Sequence, residues 1–162
     1  MRQGERELGG THPVLRGVSL EDLARRGRSS PEGAITIAFT DIEGSTRIVE
    51  RLGDERWLAL LHEHDAIVRE HLAEHDGIEV KHQGDGFMLA FSSSRAALRF
   101  AIALQRALAE HGRRRPADAL RVRIGVHSGF VIADADDYFG REVIVAARIS
   151  SAAVGGEILV SG

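Results

Sequence analysis

An α+β domain of the ferredoxin-like βαββαβ type, palm-like and extended by one further helix and strand, is predicted by three observations. Short β-branched runs bounded by turn residues read as strands, as in Ile35-Thr-Ile-Ala-Phe-Thr40. Two long stretches repeat apolar residues every three to four positions, which is one face of a helix. The order of these segments is strand, helix, strand, strand, helix, strand, with one more helix and strand behind. The first six follow the split βαβ pattern. Because that pattern serves many functions, function must be read from the site.

Each element has a local reason. Residues 1–33 are polar and rich in Gly, Arg and Ser. They read as a linker or a connector to an upstream regulatory domain, with a short helix over residues 19–26 capped by Ser19. The domain itself spans residues 34–162. Residues 34–40 form a buried strand. A long helical region follows over residues 44–75, where Trp57, Leu60, Leu61, Ile67, Val68 and Leu72 share a face. Asp76-Gly77 ends it. Residues 78–81 and 87–91 read as a hairpin around Gln83-Gly84-Asp85-Gly86. Ser92–Ser94 cap a helix running to about His111, with Ala97, Phe100, Ala101, Leu104 and Leu108 on its core face. Residues 120–127 alternate, Val122, Ile124 and Val126 inward, Arg121 and Arg123 outward. Residues 134–138 read as an acidic loop, 140–152 as a helix and 157–160 as a last strand.

Composition narrows the function classes. With 162 residues, 43% hydrophobic and 28% charged, the chain is one globular domain with a real core. A net charge of −3 gives no support to nucleic-acid binding. The absence of cysteine excludes disulfides and thiol chemistry. No apolar run approaches the ~20 residues of a membrane span, and residues 1–10 carry no signal-peptide core. A cytoplasmic location is expected. Of the 21 basic residues only Lys81 is a lysine, which suits a position where a compact ammonium is needed in place of a planar guanidinium.

The chemistry-bearing residues cluster at two turns. The first strand delivers Asp41 to its end, and Gly44-Ser45-Thr46 follow at the start of a helix. Carboxylates hold Mg²⁺ or Mn²⁺, and helix N-termini hold phosphate. A second acid, Asp85, lies in the tight turn of the hairpin. Two acids at adjacent strand ends point to two-metal phosphoryl transfer. An acid at a strand end also caps helices, and an acid in a turn also merely turns, so the pairing carries the argument. His71 and His75 share a helix face and His64-Asp65 and His75-Asp76 are adjacent, but none stands in a metal-ligand pattern; His127 reads as structural.

The segments Phe39-Thr-Asp-Ile-Glu-Gly-Ser-Thr46, Lys81-His-Gln-Gly-Asp-Gly86, Arg123-Ile-Gly-Val-His-Ser-Gly129, Asp137-Tyr-Phe-Gly140 and Ala146-Ala-Arg148 together resemble the class III nucleotidyl cyclases, in the variant found in bacterial, especially actinobacterial, members. The resemblance runs from about Ala34 to Gly162. It implies that Asp41, Asp85 and the backbone carbonyl of Ile42 hold two Mg²⁺ or Mn²⁺ ions per active site. It implies that the N–H groups of Gly44, Ser45 and Thr46 cradle phosphate, that Arg123 contacts the triphosphate, and that Arg148 stabilises the α-phosphate in the transition state. Lys81 and Asp137 match the pair that reads adenine, so ATP is the expected substrate and 3′,5′-cyclic AMP with pyrophosphate the products. A homodimer with two shared sites is implied, Lys81, Asp137 and Arg148 facing the metals of the other subunit.

Two departures from the family pattern stand out. Ile144 occupies the position, four residues before Arg148, where members commonly carry a ribose-orienting asparagine. The family also continues beyond the position of Gly162 and carries there a lysine on the triphosphate, so the chain reads as short at its C-terminal side. Both leave an alternative expectation, a weak or inactive cyclase-homology module that binds nucleotide or a regulatory partner. A guanylyl cyclase is disfavoured by Lys81. A diguanylate cyclase is disfavoured because Gly84-Asp85-Gly86-Phe87 lacks the second acid of that signature.

Overall fold

The computed structural model describes residues 34–161. The helix expected over residues 19–26 lies outside them. The described chain runs β1 (Ile35–Ile42), α1 (Ser45–Leu52), α2 (Asp54–Glu74), β2 (Ile78–Gln83), β3 (Gly86–Phe91), α3 (Ser94–Arg114), a 3₁₀ turn (Pro116–Asp118), β4 (Val122–Gly129), β5 (Ile132–Asp134), β6 (Asp137–Phe139), α4 (Arg141–Ala152) and β7 (Ile158–Val160). The main sheet has the order β2-β3-β1-β4-β7. Its first four strands are antiparallel neighbours, and β7 joins β4 in parallel. The first four positions are those of the expected βαββαβ unit; β7 is the added strand.

Alternation along β1 divides the core in two. Ala38 and Ile42 pack with Val68, Leu72, Phe100, Leu104, Val122 and Ile124, the layer under α2 and α3. Ile35 and Ile37 pack with Met88, Ala90, Tyr138 and Ala146, the layer under α4 and the β5–β6 hairpin. The sheet is therefore covered by helices on both faces, each face fed by every second residue. α4 crosses β4 very closely: a Cβ at Gly125 would lie 2.2 Å from the backbone nitrogen of Ser150.

Three expectations change in detail. The long helical region is two helices, because Gly53 breaks it at φ 80. Ser93 is the residue that caps α3, its side chain accepting from the Ala96 amide. The segment read as an acidic loop is a small hairpin, β5 pairing with β6 through Asp134 opposite Asp137, with Ala135 in the turn at φ 50. No helix among the described residues is long and apolar enough to cross a membrane.

Candidate active site

Strand register builds the site. Asp41 stands opposite Gly86 on β3 and opposite Arg123 on β4, and Gln83 stands opposite Gly86 on β2. One rung further in, Lys81, Met88, Phe39 and Gly125 form a second row on the same face. Asp85 immediately precedes Gly86 in the two-residue turn, where Gly84 takes φ 59. The two acids expected to work together are thus brought to the same end of two neighbouring strands.

Phe39, Asp41, Lys81, Gln83, Gly86, Met88, Ala147 and Ser151 are among the residues that line a cavity of about 290 Å³ under α4. Arg123 donates to the Asp41 carboxylate from the adjacent strand, both side chains being part-buried. The Nε of Arg123 is buried without a hydrogen-bond partner among the described residues. Lys81 donates to Asp137 of β6, and Asp137 also accepts from the amide of Tyr138. Arg148 is exposed on α4 and forms no ion pair among the described residues. Gly44, with φ 69, precedes the first turn of α1, where Ser45 and Thr46 expose backbone N–H groups. A separate open hollow lies against this turn, lined by Glu43, Gly44, Thr46, Arg47, Ile48 and Arg51. Each predicted residue is therefore on the end of the sheet that carries Asp41, or on the elements that cover it.

The donor set suits hard divalent cations, which prefer oxygen ligands. A Cβ at position 86 would sit 2.9 Å from the Thr40 carbonyl oxygen and 3.8 Å from Asp41 Oδ1. Glycine there lets β3 approach the Thr40 carbonyl of β1, next to Asp41. Asp41 is paired with the Arg123 guanidinium, so a divalent cation on this carboxylate would compete with Arg123 for it. Among the described residues no three His, Asp or Glu side chains converge as a metal cluster. A metal here would rest on two carboxylates with backbone oxygen and solvent or phosphate completing the shell.

A family model described as the adenylate and guanylate cyclase catalytic domain matches residues 28–162. The chain belongs to this family. Among its relatives is an adenylate cyclase of Mycosarcoma maydis, 36% identical over 165 aligned positions that cover 86% of this chain and 6% of that protein. A putative adenylate cyclase 3 of Rhizobium meliloti is 33% identical, over 77% of this chain and 22% of that protein. The chain thus spans a small part of the length of these relatives. Its fold resembles the crystal structure of the adenylyl cyclase CyaB from P. aeruginosa, with a TM-score of 0.70, 28% identity and coverage of 79% of this chain and 76% of that one. The guanylyl cyclase Cya2 is nearly as similar, with a TM-score of 0.67, 27% identity and coverage of 79% and 74%. Adenylyl and guanylyl members share this cyclase fold, so the choice of base has to come from side chains.

Sequence reasoning missed one feature of this cyclase domain. The β2–β3 register shifts between Glu79 and Lys81, so that Val80 is an extra residue, a β-bulge. The bulge is what turns Lys81 toward Asp137. A β-run of Ile-Glu-Val-Lys-His-Gln reads as plain alternation, and nothing in it announces the bulge. The reading of Arg123 as an outward residue also needs refinement: it points away from α2 and α3 but into the site face, onto Asp41.

Proposed function

We propose that this domain converts ATP to 3′,5′-cyclic AMP and pyrophosphate at sites shared between two copies of the chain. The observation that carries the reading is one sheet face that presents both halves of a site, Asp41 with Asp85 next to its partner Gly86, and the Lys81–Asp137 pair, so that two copies face to face would complete two sites. Two Mg²⁺ or Mn²⁺ ions, held by Asp41, Asp85 and the Ile42 carbonyl, would supply activation of the ribose 3′-OH and neutralise phosphate charge.

The chain's own groups do the rest. Arg123 has a buried spare donor beside its contact with Asp41, and it meets the β- and γ-phosphates. The N–H groups at Gly44, Ser45 and Thr46 orient the polyphosphate through the α1 terminus. Arg148, exposed and unpaired among the described residues, reaches the α-phosphate, where negative charge grows in the transition state. Lys81 donates to adenine N1 and Asp137 accepts from the N6 amino group. Guanine reverses both polarities, leaving a donor facing a donor and an acceptor facing an acceptor. The Lys81–Asp137 contact pre-positions both groups before any base arrives.

The dimer follows from incompleteness. A cavity of about 290 Å³ is at the bottom of the roughly 300–1,000 Å³ range of small-molecule pockets. A nucleoside triphosphate needs further walls. Phe130, Ile132, Phe139 and Ile144 are exposed on and near the β5–β6 hairpin and α4, and a second copy would cover them while bringing its own Arg148 to the first copy's metals.

The deciding experiment is cyclic nucleotide formation with Mn²⁺, ATP and GTP offered in parallel, and Asp41→Ala as the control. Product from ATP that disappears in the variant is expected. No product from either nucleotide at high protein concentration would overturn catalysis and leave a nucleotide-binding module.

A further inference from the structure

A strand with a bulge has two registers close in geometry, and a slip of one residue exchanges its faces. Without the extra residue at Val80, regular pairing from Glu79 opposite Leu89 would place Lys81 opposite Phe87, on the face covered by α2. The observed register instead puts Lys81 opposite Met88 and His82 opposite Phe87. Something must select it, and the residues flanking the bulge show what does.

Glu79, just before the bulge, accepts two hydrogen bonds from Arg69 of α2, Nε to Oε2 at 2.8 Å and Nη2 to Oε1 at 3.0 Å. His82, just after Lys81, stacks on Phe87 with centroids 4.2 Å apart and planes 13° apart. Its Nδ1 lies 3.4 Å from Arg69 Nη2, while its Nε2 faces Asp65 Oδ2 at 3.3 Å without the geometry of a hydrogen bond. Arginine only donates, so Nδ1 accepts and the proton sits on Nε2, facing Asp65. Asp65 is buried and its other oxygen lies 3.0 Å from His64 Nδ1. Asp65 and Arg69 are four residues apart, on successive turns of one helix face. Two grips from one rigid helix therefore bracket the bulge.

We propose that Asp65 and Arg69, by holding His82 and Glu79 on either side of Val80, fix the bulged register and so aim Lys81; they are specificity-determining positioning residues. The consequence for base choice rests on the function proposed above. The consequence for Lys81 itself does not.

Lys81 is the only lysine in the chain, so acylation by an amine-reactive ester, located by peptide mass spectrometry, reports on this side chain alone apart from the terminal amine. Asp137→Asn gives the reference rate for a Lys81 without its carboxylate partner. In the double variant Asp65→Asn/Arg69→Met the strand is gripped in neither register, so Lys81 is released from Asp137 and is expected to acylate several-fold faster than in the unaltered chain, toward that reference. Its preference for ATP over GTP should fall several-fold, a change that loss of stability alone does not produce. Should that variant fail to fold by circular dichroism, Glu79→Gln/His82→Asn weakens the same grips from the strand side and must also accelerate acylation. Acylation at the unaltered rate in a folded variant overturns the proposal. An unaltered chain that makes no cyclic nucleotide overturns the functional reading instead, and the acylation rates still decide the clamp.

Discussion

Lys81 is where base choice turns in the proposed reaction, because its ammonium can only donate. Lys81→Ala should lower kcat/KM for ATP by about 1–3 kcal/mol, the cost of leaving polar groups of base and pocket unmatched. Lys81→Glu should move the preference toward GTP, since a carboxylate accepts from the guanine N1–H; assays with both nucleotides read the ratio directly. Ile144 is exposed, so changing it puts no core packing at risk. Ile144→Asn, by restoring a hydrogen-bonding group beside the ribose, should raise kcat for ATP by about 0.5–1.5 kcal/mol in barrier. An unchanged kcat would mean that ribose positioning in this chain comes from other groups.

Elements meet at points that glycine makes possible. The missing side chain of Gly125 lets the backbone of Ser150 on α4 come down onto β4. Gly125→Ala would force α4 away, with a loss of about 1–3 kcal/mol in denaturant unfolding and a displaced Arg148. Gly86→Ala would put its methyl 2.9 Å from the Thr40 carbonyl oxygen; it should lower stability and, by shifting the end of β1 that carries Asp41, also weaken Mn²⁺ binding, measured by calorimetry. On the far face α2 meets α3 through Glu63. Hydrogen bonds from His111, then Arg115, hold its carboxyl below the usual carboxylate range. A depressed folded value means this contribution is full above the unfolded pKa and disappears as pH falls through the folded one. Glu63 is well exposed, so the effect is screened and small.

At the scale of the whole molecule the question is whether one chain suffices. If sites are shared, a chain carrying Asp41→Ala and one carrying Arg148→Ala are each inactive, yet mixing them should restore activity. Random pairing gives mixed dimers in about half of the population, each with one intact site of two, so recovery approaches roughly a quarter of the unaltered rate. No recovery from folded, mixed chains would place each site within one chain. Phe130→Asp with Ile132→Asp should shift the particle to monomer in light scattering and lower turnover, because both residues are exposed and their replacement costs no core.

Much of this molecule was legible in its sequence, for reasons that are local. A short β-branched run marks β1, which is buried on both faces, alternation of Val122, Ile124 and Val126 with arginines marks β4, three-to-four spacing marks α2 and α3, and Ser93 caps α3 as short polar residues do. Family motifs in order marked Asp41, Asp85, Lys81, Arg123, Asp137 and Arg148 as candidates, because chemistry that needs oxygen ligands and cations at given positions leaves them in the text of the chain. Long-range partners were not legible. That Asp41 meets Arg123 and that His64 and Asp65 are buried both depend on strand register and helix docking. The bulge at Val80 is of the same kind: a residue's own neighbours do not say which way a strand will face. That is decided by what grips it from across the fold.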